Sequence, residues 1–557
     1  MTQNRLVLFE RVTLLLLIIT LPFNGLPKQF FLSFLGRDLT NSFFTLGMVL
    51  LLIEFAKYRF CIPRKAIIYF TAFYGWYIFC LAVGLTFYPY DQSFMAVQSV
   101  SIQHSLQHFN WLISADAQWP YKIIFFFENA SRILRRDAQF CLIAFWVWHL
   151  YRDNWKKGFE DIKKAVLALV LLLGAYSVVE LSWLKFDSKT AEKILIAINS
   201  NLYARASENV WWPPLLWPGR LRSLLREPSF FGILSAFLLP FLWSWMGEKK
   251  HKGLYGILIG YFCLMIAATN SRTAVSVTAF ELVLLALSIA WVRTADYTRK
   301  GLAIICICLC GFGFNLINFK SADIQVVPKV SAAEAVQVNK KGDGVSSEGR
   351  EIFMSPRNYF ENNIGSVAST DKFSNNARLA VVVTELNVIR QHPITGVGKN
   401  LNAGYMLDSL PNFAYQNAEV KSWIDGILKS DEKIYLIRDA FPDLNIYTSI
   451  GVSCGIPGIL LYTGFMIYPL IKLVRHRKQL RGNPLIVLAG ISLLGLAISG
   501  FSNKEYSNCI GIPVGLLWCY LANFEPNVQS EYSAVGVPPV RQGVPFVRRG
   551  VPLAIFR

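Results

Sequence analysis

Long apolar runs, broken at short intervals by polar and charged clusters, set the pattern of this chain. A helix crossing the hydrocarbon core of a bilayer needs about 20 mostly apolar residues, and about twelve runs approach that length. They lie near Val12–Leu26, Leu39–Ala56, Ala66–Tyr88, Ala138–Leu150, Ala165–Trp183, Ser229–Met246, Gly253–Ala268, Thr273–Val292, Leu302–Phe319, Asn445–Leu473, Leu485–Gly500 and Ile510–Asn523. The fourth and the twelfth are short, and the fourth has apolar Tyr121–Phe127 ahead of it. The pattern predicts an all-α polytopic membrane protein with about twelve transmembrane helices and a large, partly helical external loop.

The runs divide the chain into an N-terminal bundle of about nine spans at 1–319, a large loop at 320–443, three C-terminal spans at 444–523 and a tail at 524–557. The large loop carries 14 basic and 15 acidic residues. Within it Asn376–Gln391 reads as a helix, with Leu379, Val383, Leu386 and Ile389 at helical spacing on its apolar face. Residues 338–375 are rich in Gly, Ser and Asn and read as loop. A second long polar segment spans 185–227. In the tail, Gly536, Gly543 and Gly550 each precede Val-Pro, a seven-residue repeat whose prolines forbid a coiled coil. The tail reads as disordered, with Arg541, Arg548 and Arg549 available to anionic lipid.

Charge fixes the expected orientation. The chain has 557 residues, 54% hydrophobic and 16% charged, a mean hydropathy of +0.38 and a formal net charge of +19. That composition excludes a disordered chain, a basic nucleic-acid-binding domain and an ordinary soluble enzyme. Loops on the cytoplasmic side of a membrane collect Lys and Arg. With the N-terminus inside, the inward loops 57–65, 152–164, 247–252, 293–300 and 472–481 hold four, five, three, three and five basic residues. The outward loop 89–120 holds none. Both termini are therefore expected in the cytoplasm. Arg5 and Arg11 precede the first run as in a signal peptide, but Pro22 and Pro27 follow where a small-residue cleavage site would stand, so it reads as a retained span.

Charged groups beside a membrane core need a reason. Five outward clusters stand out. In Gly219–Gly232, Arg220, Arg222 and Arg226 precede a helix expected to start at Pro228 with Glu227 as its cap. Guanidinium groups at a helix N-terminus suit a phosphate; interfacial snorkelling with a Glu–Arg pair is the equal alternative. In Thr269–Thr273, Arg272 sits at a second outward helix N-terminus; a cap and interfacial anchor is the alternative, but an Arg in so short a polar break leans to a functional role. Glu128, Arg132, Arg135, Arg136 and Gln139 fall on one helical face, suited to a lipid-linked anion or to a solvated Glu128–Arg132 pair. Arg390 and His392 end a helix before Pro393, Gly396 and Gly398; His392 is a candidate base near neutral pH or simply a neighbour of the terminator. Pro442–Gly458 offers Asp443 or Asn445 as a cap, Gly451, Gly455 and Gly458 for close helix approach, and Pro457 as a kink.

Other groups carry less. The ten cysteines form no C-x-x-C, and Cys306, Cys308 and Cys310 lie in a span without His or acid nearby, so no metal site is expected there. His104 and His108 lack a third ligand. No cytoplasmic stretch has a phosphate-binding Gly loop, which speaks against an ATP-driven pump. Neither a metal nor a cofactor is expected. Glu54, Glu180 and Glu281 are unusual acids within otherwise apolar spans.

Taken in order, R-x-x-S-x-x-x-E-P-S at Arg220–Ser229, S-R at Ser271–Arg272, H-P-x-x-G-x-G at His392–Gly398 and N-x9-G-x-x-G at Asn445–Gly458 resemble the O-antigen polymerase and ligase superfamily over about 120–520. The resemblance implies a glycosyltransferase of the bacterial inner membrane. It would act at the periplasmic face on glycans carried by undecaprenyl diphosphate, without metal or nucleotide sugar. It also implies a chain-length-regulating co-polymerase and a flippase as candidate partners, and no nucleic acid. Ligases of the family resemble H-N-x9-G-x-x-G, their His being the presumed catalyst, whereas Leu444 stands at that position here and cannot take a proton. This favours a polymerase for O-antigen, capsule or exopolysaccharide over a ligase, with a lipid-glycan flippase as the alternative from another class. By carry-over, Arg220 and Arg272 match the family's arginines and, with Arg226, would bind the diphosphate. Glu227, His392 and Arg272 are the catalytic candidates, and Glu227 could instead hold Arg226. Arg222, Arg132, Arg136, Arg390 and Asn445 join Arg220 and Arg226 as candidate substrate-binding residues. Trp211, Trp212 and Trp217 offer faces for sugar rings or an interfacial belt.

Overall fold

The computed structural model describes residues 3–25, 38–60, 62–90, 119–203, 205–207, 210–211, 213–315, 373–428, 441–476, 480 and 483–522. His104, His108, Trp212, most of the predicted loop 338–375 and the tail after 522 lie outside them.

The chain is an all-α polytopic membrane protein. From the N-terminus come α1 (Gln3–Ile19), α2 (Leu39–Tyr58) and α3 (Arg64–Thr86). Next come α4 (Trp119–Arg132), a π turn (Ile133–Asp137), α5 (Gln139–Tyr151), α6 (Trp155–Phe186) and α7 (Lys189–Leu202). Two short strands, β1 (Arg205–Ser207) and β2 (Val210–Trp211), pair antiparallel. Helices α8 (Pro228–Trp243), α9 (Lys252–Ala268), α10 (Arg272–Val292) and α11 (Ala295–Asn315) follow. After the undescribed stretch come α12 (Phe373–Gln391), α13 (Asn402–Asp408) and α14 (Ala418–Leu428). The chain then enters α15 (Ile446–Arg475), α16 (Pro484–Ser499) and α17 (Gly511–Ala522).

Each of the twelve predicted runs forms a helix. Among the described residues, seven helices are long and apolar enough to cross a membrane by length and composition: α2, α3, α6, α8 with its 3-10 extension, α10, α11 and α15. Helices α1, α5, α9, α16 and α17 are shorter. The fourth run gains length from the front, because α4 continues through the π turn into α5. The first begins earlier than predicted, at Gln3, and ends at Ile19. Polar residues near its start do not stop it, since Glu10 is buried between helices.

Helix α8 is the centre of the bundle, buried at every position from Pro228 to Trp243 except the half-buried Ser229. It meets α10 where Gly232 faces Ala274, and a Cβ on Gly232 would come within 2.5 Å of the Ala274 Cα. Residues 373–428 add a second, smaller core with Ala377, Ala380, Val381, Val388, Val397, Met406 and Val420. Helix α12 forms as predicted, and the apolar face assigned from sequence is corrected in part: Ile389 is buried and Val383 half-buried. Leu379 and Leu386 are exposed, while Ala377, Ala380, Val381, Thr384 and Val388 are buried. Helix α12 packs closely on α15 through Ile389: a Cβ on Gly451 would come within 2.6 Å of its Cδ1.

Candidate functional site

The alternation of helices carries several element ends to one end of the bundle: the starts of α2, α8, α10 and α15, and the turn after α16. The loop before α8 is tied to the turn before α10 by two hydrogen bonds. Leu221 N–H donates to Ala268 O (3.0 Å) and Asn270 Nδ2 to Gly219 O (3.0 Å). Arg220, exposed, and Arg272, half-buried, thus stand on joined segments. Ser271 caps α10 through the Ala274 N–H (3.5 Å).

Arg226 packs on the turn after α1: a Cβ at Gly25 would lie 1.6 Å from its Nη2, and the φ of +109° there favours glycine. Asn24 bridges to Asp38, the N-cap of α2, whose carboxylate accepts from Asn41 N–H (3.0 Å). Burial raises the Asp38 pKa, against the bond from Asn41 and the charges of Arg136 and Arg226. Glu227 holds the cap position of α8 without bonding the helix's own N–H groups; its carboxylate accepts from the Ser229 hydroxyl (3.2 Å). Burial raises its pKa too, opposed by that bond and by Arg378 and Arg226. Arg378, on the first turns of α12, donates to Ser502 O (2.7 Å) and acts on the charges of both Glu227 and Arg272. Burial lowers its own pKa, opposed by Glu227 and Glu419. Glu505 closes the ring: burial raises it, and Arg226 and Lys504 oppose.

Arg136 and Arg226 thus act on Asp38, Arg226 and Arg378 on Glu227, and Arg226 on Glu505, while Arg272 lies within the field of Arg378 and Arg220 stands on the adjoining segment. Positive ends of helix dipoles add to the guanidinium charge. Such a place binds and stabilises anionic oxygen, above all where negative charge develops in a reaction. Asp38, Arg378, Lys504 and Glu505 were missed in the sequence. Arg378 was legible as the polar residue at the start of the predicted helix; the other three are ordinary turn residues until the fold assembles them.

Other candidates are placed elsewhere. Arg222 is 1% exposed; its Nη2 donates to Leu215 O (3.0 Å) and its guanidinium lies 4.7 Å from the Tyr203 ring. The Arg222 and Ser223 N–H groups both donate to Glu180 (3.2 and 2.7 Å), which accounts for that acid within α6. Arg132 pairs with Glu128. The single helical face expected for Glu128 to Gln139 is corrected: the π turn inserts a residue, with Ala138 N–H reaching back to Ile133 O (3.1 Å). Arg136 consequently acts on Asp38, while Asp137 pairs with Lys399 (3.7 Å). Asn445 caps α15, accepting from the Tyr447 and Thr448 N–H groups (2.9 and 3.3 Å), so its carbonyl oxygen is committed to the helix. Asp443 instead takes the Ser449 hydroxyl (2.6 Å) and Lys504.

His392 and Arg390 stand at the far end of α12, about 20 Å of helical rise from Arg378. The His392 ring meets Tyr405 edge-on at 5.1 Å, and burial lowers its pKa. Tyr88, Tyr90 and Tyr405 pack edge to face beside it, with Tyr90 bonded to Asp408.

The glycine motifs explain themselves as backbone fit. Helix α15 is broken at Gly455 (φ +67°), and the segment after His392 lies along the break. Val397 N–H donates to Val452 O (2.8 Å), Gly398 N–H to Ser453 O (3.2 Å), and Ile456 N–H to Pro393 O (2.8 Å). The chain around His392–Gly398 thus supplies the bonds that the broken helix gives up. A Cβ on Gly396 would lie 2.3 Å from Val452 O, and one on Gly455 2.0 Å from Ile394 O. The two motifs are one joint.

Residues 256–463 match the family model for O-antigen ligase. The chain carries a domain of the O-antigen polymerase and ligase superfamily. Members of this superfamily are glycosyltransferase-like enzymes of the membrane that act on lipid-linked glycans. The matched segment runs from α9 into α15 and contains Arg272, Arg378, His392 and Asn445, together with the joint. The loop with Arg220, Arg226 and Glu227 precedes it and is fastened to it by the Leu221 and Asn270 bonds. Comparison with curated proteins gives no match.

Proposed function

We propose that this protein is a polysaccharide polymerase of the bacterial inner membrane, with both termini cytoplasmic and the arginine cluster at the periplasmic face. The growing glycan, held on undecaprenyl diphosphate, would pass to the next lipid-linked repeat unit. The carrying observation is the convergence of Arg226, Arg272 and Arg378 with Glu227 where α8 and α10 begin.

In this reading Arg272, Arg378 and Arg226, with Arg220 and Arg136 nearby, bind the diphosphate. An acceptor hydroxyl attacks the anomeric carbon, the bond from that carbon to the phosphate oxygen breaks, and its electron pair stays on the diphosphate. Guanidinium groups bind that product charge more strongly than the ground state, so they accelerate the step. Glu227 takes the hydroxyl proton. It is favoured over His392 because it shares the arginine cluster, and burial has brought its pKa up toward the working range of a base. The tyrosines around His392 give apolar ring faces for sugars further along the chain.

The family description favours a second reading, transfer of a finished chain to a different acceptor, as in a ligase. Leu444 speaks against it, since that side chain packs into the small core of residues 373–428 and has no titratable group. Deletion of the gene followed by analysis of lipid-linked glycans tests the choice. A polymerase leaves single repeat units outside the membrane or on the surface acceptor. Full-length polymer stranded on its lipid carrier identifies a ligase, and single units held inside identify a flippase.

A further inference from the structure

The opposite end of the bundle holds a polar group that the proposed reaction does not use. Glu10 on α1, Glu54 on α2 and His149 on α5 each offer one ligand atom, and the three atoms all lie within 4.8 Å of one another. Their exposures are 0%, 1% and 2%. The helical rise along α2 from Asp38 to Glu54 is about 24 Å, so the group is well separated from the arginine cluster.

Two carboxylates buried together repel each other and lack water, and each needs a compensating charge. His149 Nε2 lies 2.7 Å from Glu54 Oε2, and Gln3 also bonds Glu54. The Glu10 carboxyl faces that of Glu54 within hydrogen-bonding reach, and His149 Nδ1 has no hydrogen-bond partner. Arg11, next on α1, sits over the Tyr151 ring instead, 5.5 Å from its centre. The Phe60 ring covers the imidazole at 4.1 Å.

We propose that Glu10, Glu54 and His149 bind one divalent first-row transition-metal ion, of which Zn2+ is the reference case. Two carboxylates and a neutral imidazole balance the charge of such an ion, and these donor types suit it. A proton shared between the facing Glu10 and Glu54 carboxyls is the competing arrangement, which the pH arm of the test separates from a bound ion. The ion fastens three helices of the N-terminal half to one another. No spacing motif announces it, because its ligands come from three separate helices.

The test uses the full chain without a polyhistidine tag, purified in detergent, stripped with chelator and dialysed separately against Zn2+ and Mn2+. Metal analysis of the wild type should find about one equivalent of at least one of them. Glu10→Gln and His149→Ala should each hold less than about one fifth of that. Added ion should raise the melting temperature of the stripped wild type and leave that of Glu10→Gln unchanged. Glu10→Gln keeps the side-chain volume, so its metal content is read on protein that elutes as a single species. A wild type that retains neither ion, or a Glu10→Gln variant that binds as much as wild type, overturns the site. Melting that follows pH but not metal overturns it in favour of a shared proton.

Discussion

Two regions of this protein carry the residues that resemble the family, and they use those residues in opposite ways. At the starts of α8 and α10 the side chains matter: Arg226, Arg272, Arg378 and Glu227 are carried there by regular helices, of which α10 is capped by Ser271. At the joint between α12 and α15 the backbone matters: Gly396 and Gly455 are needed because carbonyl oxygens occupy the space where a Cβ would stand. A motif of charged residues and a motif of glycines can look equally functional in sequence. In the first the charged side chains are the candidates to act on a substrate; in the second, His392 apart, the glycines hold residues 373–428 against a broken spanning helix.

That contrast predicts different losses. The largest should come from Arg272→Ala and Arg378→Ala, each lowering polymer formation by about 100- to 1,000-fold with the protein still inserted and stable. In vitro transfer with purified lipid-linked repeat units and a melting curve read the two quantities separately. Glu227→Gln should lower transfer by about 100-fold, and His392→Ala by less than about tenfold. Equal losses from the two would give His392 a part in the chemistry. Because burial raises the Glu227 pKa, the acid limb of the wild-type pH–rate profile should lie higher than an unburied glutamate would give.

The joint should fail the other way. Gly455→Ala should cost ~3 kcal/mol of stability, through the positive φ and the overlap with Ile394 O, and lower activity only as folded protein is lost. A stable but inactive Gly455→Ala protein would erase the distinction.

A third position lies between the regions. Glu385 of α12 is 2% exposed and bonds the Thr448 hydroxyl on α15. Burial raises its pKa from 4.5 to about 7, opposed by that bond and by Lys504. The unfolded chain releases this proton above pH 4.5 while the folded chain keeps it to about 7. The contribution is therefore present at low pH and lost as pH rises across that window, by up to ~3 kcal/mol. Glu385→Gln should flatten the melting temperature between pH 5 and pH 8, by roughly 3 °C at the upper end. The smallest effect belongs to Arg132→Ala, less than about twofold on transfer, because Arg132 is occupied by an exposed pair with Glu128.

Much of the fold was legible because a spanning helix must be both long and apolar, and both properties are local. The ends were less legible. Helix α1 runs through Arg5, Glu10 and Arg11, since charged side chains can be buried or directed outward near a membrane surface, and hydropathy does not show which. Helix α12 was legible in place but only partly in facing: Ile389 is buried, whereas Leu379 and Leu386 are exposed and the small core takes Ala377, Ala380 and Val381 instead. Within the site, Arg220, Arg226, Glu227 and Arg272 were found because cations at helix starts are conspicuous. Arg222 carried the same signal and serves Glu180 instead.

The sequence by itself determined the class of protein, the number and order of apolar helices, and the asymmetry of basic loops. These follow from composition and from periods of a few residues. Tertiary structure alone decided which arginines meet. Asp38, Arg136, Arg226, Arg378 and Glu505 come from five separate stretches of chain and share a site only because helix packing brings their ends together. The same holds for Glu10, Glu54 and His149 at the other end of the bundle, where three apolar helices each bring one polar side chain to a common point.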